Sequence, residues 1–553
     1  MISAYDGYPS GPPLAGHIEI GSGNNKGIQQ EKMSNQDTEE PRRVGLLRSS
    51  GLVSLLTMLS RILGLVRDMV IANFFGAGAG ADVFFLAFKI PNFFRRLFAE
   101  GAFSQAFVPV LTEYRELKSS KDVGDLVNKV SGTLGTTLLF ITILGVLGAS
   151  VIVSVFAAGF VYNGEFEKIA LATEMLRLTF PYLFFISMTA FVGAVLNSAG
   201  KFGPPAFTPV LLNVCLIGSA IFLRPLLEVP VMSLAWAVLL AGIAQLCFLL
   251  PFVAKEGLFP RPQLGFKDEG VKRIMTLMVP AMFGVSVGQI NLLLDTVLAS
   301  FLETGSLSWL YYSDRLLELP LALFGITIAT VILPGLSREH ATGSAVEFSN
   351  TLNWALRMVL AIGVPSSLAL IILSEELITT LFFMGEMTER DVEMAALSLK
   401  AYGVGLLGHM IVKVMAPGYF SRQDTSTPVK YGIIALTSNM VLNLILVWYL
   451  KHAGLALATS LSAFINAGLL WYGLKKSGVL LVDDGWFRFF LQVVFANTIL
   501  CMMLVFFVPS LSVWFELGFW HRVGLMLLVS GIGVGVYCIS LLLTGFRFRQ
   551  MLK

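Results

Sequence analysis

SRILGLVRDMVIANFFGAGAGADVFFLAFKIPNFFRRLFAEGAFSQAFVP, residues Ser60–Pro109, is the stretch from which the rest of the chain is read. It is apolar enough to live in a bilayer, yet it carries Arg61, Arg67, Asp68, Asp82, Lys89, Arg95, Arg96 and Glu100. Each charge at mid-membrane costs about 2.5–3.5 kcal/mol on insertion scales. One hairpin keeps several of them only where they face water, a polar ligand or one another. The hairpin is therefore expected to line a cationic cavity, and the remaining helices to hold that cavity.

Composition points the same way. The 553 residues are 55% hydrophobic and 14% charged, with a mean hydropathy of +0.76, where soluble domains average roughly 25% charged residues. A net charge of +3 is too small to suggest a nucleic-acid partner, and no basic run is interleaved with aromatics. Cys215, Cys247, Cys501 and Cys538 sit in apolar segments and read as buried packing residues rather than disulfides or ligands. The sequence holds no HExxH, CxxC or GxxxxGK[ST] pattern and no evident nucleophile–base pair, so an enzyme reading has no motif behind it. Energy for any transport is then expected from an ion gradient, the membrane potential or the substrate gradient.

Residues 1–45 are polar and aperiodic, without a signal-peptide pattern, and read as a disordered cytoplasmic extension. Between 48 and 544 about fourteen segments are long enough to span a bilayer. The first, second, seventh and eighth are the least hydrophobic and hold the ionisable groups. Lys and Arg concentrate in alternate loops (115–129, 255–273, 475–488) and at the C-terminus, which places both termini on the cytoplasmic side.

The chain also repeats. AFVPVLTEYRE (106–116) matches TVILPGLSRE (330–339), which aligns Pro109 with Pro334 and Lys89 with Asp314; GKFGPPAFTPV (200–210) matches YFSRQDTSTPV (419–429). The expected organisation is an N-terminal lobe over 46–258, a C-terminal lobe over 259–478 in the same orientation, and two added helices with a cytoplasmic tail over 479–553. A parallel repeat of this kind puts a substrate between the lobes, where helices 1, 2, 7 and 8 meet.

Arg61 and Arg67 stand about 120° apart on one helix and are expected to straddle a broad cavity wall. Arg95 and Arg96 follow Pro91, whose missing N–H is expected to kink the helix and free carbonyls toward the cavity. For these two arginines, pairing or snorkelling near the inner face is an equal reading. In the second lobe Asp314, Arg315 and Glu318 lie on one or two turns. An arginine fork suits bidentate contact with phosphate or carboxylate, and Arg67 with Arg315 is the favoured pair. Asp68, Asp82 and Glu100 read as partners that keep the arginines tolerable. A second constellation combines Ser286, Gln289, Asn291 and Asp295 with Asn439, Asn443 and Thr459. It suits a monovalent cation such as Na⁺, a proton on Asp295, or interhelical hydrogen bonds alone. Gly531 and Gly535 in the last helix present a small-residue face, for packing or for an alkyl chain.

SRILGLVRD, FGAGAGADVFFLAFKIPNFFRRLFAEGAFSQAFVPVL, SWLYYSDRLLELP and APGYFSRQDTSTPVK closely resemble the lipid II flippases of the MurJ (MviN) family, in the multidrug/oligosaccharidyl-lipid/polysaccharide exporter superfamily. The resemblance runs from about Ser54 to the C-terminus. It implies an all-α polytopic protein of about fourteen transmembrane helices, with two parallel-repeat six-helix lobes in a V and two extra C-terminal helices forming a groove for a polyprenyl tail. It implies an inner-membrane flippase for lipid II (undecaprenyl-pyrophosphate carrying MurNAc-pentapeptide-GlcNAc), working by alternating access for peptidoglycan synthesis beside the cell-wall machinery. The cavity arginines fall on Arg61, Arg67, Arg95 and Arg315. The acidic positions are Asp68 and Asp82 in the first lobe and Asp314 and Glu318 in the second, with Lys89, Arg96 and Glu100 supporting. A Na⁺ site of some members falls on Asp295, Asn439, Asn443, Thr459 and the Leu455 carbonyl. Two other functions compete: a cation-coupled small-molecule or drug antiporter of the same superfamily, and a cell-wall scaffold without transport. Excess cavity arginine argues against the first, and costly intramembrane charge against the second.

Overall fold

A computed structural model describes residues 51–96, 103–481 and 485–546, with the side chains of 281 and 283–288 outside that description. Among the described residues every regular element is helical. The first half runs α1 (51–75), α2 (Ala79–Arg95), α3 (Ser104–Leu117), α4 (Ser120–Leu147), α5 (Ala149–Phe156), α6 (Ala158–Tyr162), α7 (Phe166–Thr179), α8 (Tyr182–Ser198), α9 (Gly203–Gly218) and α10 (Met232–Lys255). The second runs α11 (Glu269–Ala299), α12 (Ser306–Pro320), α13 (Thr327–Ala341), α14 (Ala345–Ile372), α15 (Ser374–Phe382), α16 (Glu389–Phe420) and α17 (Ser426–Lys476). The chain ends with α18 (Trp486–Phe507), α19 (Leu511–Glu516) and α20 (Phe519–Leu543). The protein is a multi-pass membrane protein.

Ten helical stretches among the described residues are long and apolar enough to cross a membrane, against the fourteen segments expected. The difference has physical causes. Ser426–Lys476 is two helices meeting at Lys451, whose φ of 50° and ψ of −129° break the helical run. The stretches 51–75, Ala79–Arg95 and Glu269–Ala299 are helical but fall outside the ten; α1 and α2 carry the charges that made them the least hydrophobic in sequence.

Several ends are written in the sequence. Ser119 and Asp122 form a capping box at α4, and Thr388 and Asp391 another at α16. Asp268 caps α11 by accepting from the N–H groups of Gly270 and Val271. Pro91 cannot bond the carbonyl of Ala87 one turn back. That oxygen accepts the Thr179 hydroxyl of α7 at 3.3 Å, so the freed carbonyl serves helix packing and not the cavity.

One apolar core spans both halves, with α12 packed on α2 and α16, and α11 packed on α3 and α17. A second, smaller core joins α18 and α20 to α14 and α15. Arg522, 6% exposed, fastens that addition by donating to the carbonyls of Trp514, Phe515 and Phe383. Tyr537 donates to the Ala361 carbonyl at 2.7 Å. Of the two readings of the Gly531/Gly535 face, packing within the described residues is not seen: a Cβ at either would meet open space, whereas one at Gly533 would touch Leu500. The cysteines are free; Cys247 is exposed and the other three half-buried, so they are not the core residues expected. Their helices turn those faces outward.

Two sets of contacts bracket the unit. At one end Asp82 accepts from the N–H groups of Gly305 (2.6 Å) and Ser308 (2.9 Å) and from the Ser308 hydroxyl (2.6 Å). Gly305 has a φ of 101°, a conformation that favours glycine. Around this contact Tyr312 donates to the Gly76 carbonyl, Glu386 N–H to the Asn73 carbonyl, and Gly159 N–H to the Ser300 hydroxyl.

At the other end the segment 256–268 is strapped along α4. Gln263 N–H donates to the Asn128 carbonyl, Arg261 N–H to the Asn128 side chain and Gly265 N–H to the Thr133 hydroxyl. Lys129 pairs with Asp268 at 2.7 Å, and Arg273 with Glu113 at 2.8 Å. Burial works to raise the Asp268 carboxyl, but its bonds from Lys129 and the Val271 and Gly270 amides hold it below the usual carboxylate range. A depressed carboxylate contributes stability above its unfolded value of about 3.9, lost as pH falls through the lower folded value. Amide exchange across 261–265, taken relative to its intrinsic rate at each pH, should therefore stay slow at neutral pH and accelerate only below about pH 4. In Asp268→Asn it should already be faster at pH 7, and equal exchange in both proteins would contradict the strap.

Candidate functional site

A cavity of about 410 Å³ lies between α1, α2, α9, α11, α12, α16 and α17. Its lining has five basic side chains (Arg67, Lys89, Arg95, Arg96, Arg315) against three acidic ones (Asp295, Asp314, Glu318). The excess of positive charge suits an anionic ligand.

Arg67 is the most constrained of the five, at 8% exposure. Its Nε and Nη2 both donate to Asp68 Oδ1, at 2.9 and 2.6 Å, and Nη1 donates to Asn213 Oδ1 at 3.0 Å. Asn213 is itself fixed by donating to the Ser60 carbonyl. The Tyr311 hydroxyl accepts from Arg67 Nη2 at 3.0 Å and donates to Asp68 at 2.9 Å. Arg315, one turn after Tyr311, lies 4.9 Å over that ring, with its Nε 3.5 Å from Asp68 and its Nη1 2.8 Å from Glu318. One buried carboxylate thus stands between two arginines from opposite halves of the chain. Phe85 stacks on Tyr311 at 3.9 Å and backs the node with apolar surface. Such a node orients both forks before any ligand arrives.

Arg95 donates to Asn92 Oδ1 at 3.0 Å, and Arg96 lies 3.5 Å from Gln289. Both line the cavity near α11. Lys89 donates to the Thr296 hydroxyl at 3.2 Å, and Asp314 lines the same cavity, so the two residues aligned by the repeat share one space.

Two expected positions differ. Asp82 is 2% exposed and caps α12, away from the cavity, because the backbone N–H groups at 305 and 308 outbid any arginine for it. Arg61 is exposed and does not line the cavity: six residues before Arg67, it turns to another face of α1. Asp68 lies off the wall beneath Arg67, in the partner role expected of it. Glu100 and the Ser286 side chain lie outside the described residues.

The second constellation is assembled. Asn443 Nδ2 donates to Asp295 Oδ1 at 2.6 Å and to Asn439 Oδ1 at 2.8 Å; Asn439 Nδ2 is 3.3 Å from the Thr459 hydroxyl. Asp295, Thr459 and Leu455 line the cavity. Among the described residues Asn443 Oδ1 is buried without a partner, an oxygen in need of a donor or a cation.

Sequence reasoning missed Asn213 and Tyr311. Both carried a signal: a lone amide in the apolar segment 206–224, and a phenol four residues before Arg315 on one helix face. A separate apolar groove of about 380 Å³ runs between α14 and α18, from Leu360 and Phe489 to Leu368 and Cys501.

The family model described as lipid II flippase MurJ matches residues 71–524. The chain is 50% identical over 514 residues to the probable lipid II flippase MurJ of Vibrio cholerae serotype O1, covering 92% of this chain and 97% of that protein. It is 42% identical over 465 residues to the lipid II flippase MurJ of Burkholderia cenocepacia, covering 83% and 90%. A solved lipid II flippase MurJ in an inward closed conformation superposes with a TM-score of 0.75 at 28% identity, covering 91% of this chain and all of that one. An inward-facing multidrug transporter of the MATE family superposes at 0.62 with 14% identity, over 77% of this chain, which is a likeness of fold. With its fold, basic cavity and matched length together, the chain belongs to the lipid II flippase MurJ family.

Proposed function

We propose that this chain is a lipid II flippase, moving the undecaprenyl-pyrophosphate-linked peptidoglycan precursor from the cytoplasmic to the periplasmic leaflet by alternating access. The Arg67–Asp68–Arg315 node carries the reading. A diphosphate offers two arginine forks what Asp68 offers them without substrate, with more charge and more acceptor oxygens. Binding would draw the halves together at the node, because Arg67 and Arg315 come from different halves.

The loop charges support an orientation in the bacterial inner membrane with the Asp82 end outside and the strapped end inside. Release to the outside then requires the Asp82–Gly305 and Asp82–Ser308 bonds to part. The α14–α18 groove, about 380 Å³ and lined mostly by apolar side chains, supports a polyprenyl tail that stays in lipid while the head crosses. Asp295, Asn439, Asn443, Thr459 and the Leu455 carbonyl would hold Na⁺, and the unpartnered Asn443 Oδ1 supports that fit. A bound Na⁺ would supply positive charge to Asp295.

Depleting the protein from its own cell should make lipid II accumulate in the inner leaflet, and the purified protein should bind lipid II. Binding of an organic cation with no binding of lipid II would favour the antiporter instead.

A further inference from the structure

We infer that Lys89 is a tethered cation, carried by α2 of the first half, that competes with a free monovalent cation for the carboxylate of Asp295 in the second half. The inference rests on the cation reading of the Asp295 constellation and adds a regulating residue that reading does not contain.

Lys89 Nζ lies 3.2 Å from the Thr296 hydroxyl, next in sequence to Asp295. That hydroxyl donates its own hydrogen to the Leu292 carbonyl, so it meets the ammonium with a lone pair. Asp314 and Asp295 are the carboxylates that bear on the Lys89 charge, while Arg315 and Arg96 oppose it. Among the described residues neither carboxylate forms an ion pair, and Asn443 serves one oxygen of Asp295, leaving the other to a cation. The ammonium is thus parked beside the site on a flexible four-carbon stem, held by a hydroxyl rather than by either acid.

The halves are linked here by that parked charge. Asp295 and Thr296 are on α11 and Asp314 on α12, whereas Lys89 rides on α2. With α2 in its present place, a cation entering at Asp295 meets an ammonium at close range in a partly dry cavity. Moving α2 away removes that repulsion and leaves Asp295 without a nearby positive charge. Occupancy of the constellation therefore depends on the separation of the halves, with no other residue required to sense it.

The test is Na⁺ titration of the full-length purified protein, reading the thermal midpoint with choline replacing Na⁺ at constant ionic strength. Lys89→Met should lower the half-maximal Na⁺ concentration about tenfold or more, as expected for removing a like charge at an effective dielectric near 20. Lys89→Arg, which keeps the charge, should stay near the parent protein, and Asp295→Asn should show no Na⁺-specific shift. Lys89→Gln repeats the measurement should the methionine variant not fold. An unchanged Na⁺ midpoint in the neutral variants, with the shift still lost in Asp295→Asn, overturns the competition and leaves the cation reading standing. Lys89→Arg behaving as Lys89→Met also overturns it. No Na⁺-specific shift in the parent and the neutral variants brings down both.

Discussion

Arg67→Ala, and separately Arg315→Ala, should fail to support growth when each is the sole copy of the flippase, at normal expression. Each removes a charged fork from the node around Asp68. A hydrogen bond to a charged group contributes about 1.5–3 kcal/mol, so losing one fork should weaken lipid II binding by about ten- to a hundredfold. Arg67→Ala also leaves the Asp68 carboxylate, 1% exposed, with only Tyr311 and the more distant Arg315. Breaking one side of a buried pair costs about 3–5 kcal/mol, so instability must be separated from lost recognition. The double variant Arg67→Ala/Asp68→Ala makes that separation. It should recover much of the thermal midpoint and none of the transport. Growth support by either stable variant would remove the diphosphate grip from the mechanism.

Asp82→Ala should loosen the closure at the Asp82 end without touching the cavity wall. The carboxylate accepts three hydrogen bonds of 2.6, 2.9 and 2.6 Å and lies at the positive end of α12. Removing it leaves the Gly305 and Ser308 amides with no acceptor in a buried place. The expected loss is about 3–5 kcal/mol of local stability, read as faster amide exchange at 305 and 308 and a lower thermal midpoint. Asp82→Asn keeps an acceptor oxygen without the charge and should fall between. Exchange rates equal to the parent would show that this cap does not hold the halves together.

Much of the site is legible in the sequence. Helical periodicity with charges in the wrong solvent marks Ser60–Pro109, and the internal repeat supplies Arg315 as the other half of its site. Those inferences use only local spacing and the cost of charge in lipid. The Asp295, Asn439, Asn443 and Thr459 set is legible as candidates, because a carboxylate and two amides four residues apart stand out in apolar helices.

Other roles are out of its reach. Asp82 and Asp68 look alike in sequence, two carboxylates in one charged hairpin. Which becomes a helix cap and which an arginine partner depends on where the Gly305 turn arrives, more than two hundred residues later. Pro91 frees a carbonyl in any reading, but only the approach of Thr179 decides that packing, not the cavity, receives it. Arg61 is separated from Arg67 by a rotation that spacing predicts, yet only the packed neighbours say which side is the cavity.

The sequence by itself determined a helical membrane protein with a basic cavity and the residues from both halves that build it. Hydrophobic periodicity and the cost of intramembrane charge act locally along the chain. Tertiary structure alone decided which of those charges reach the cavity and which are consumed in holding it shut. That choice is made by hydrogen-bond partners brought together from distant segments, and no local pattern encodes the meeting.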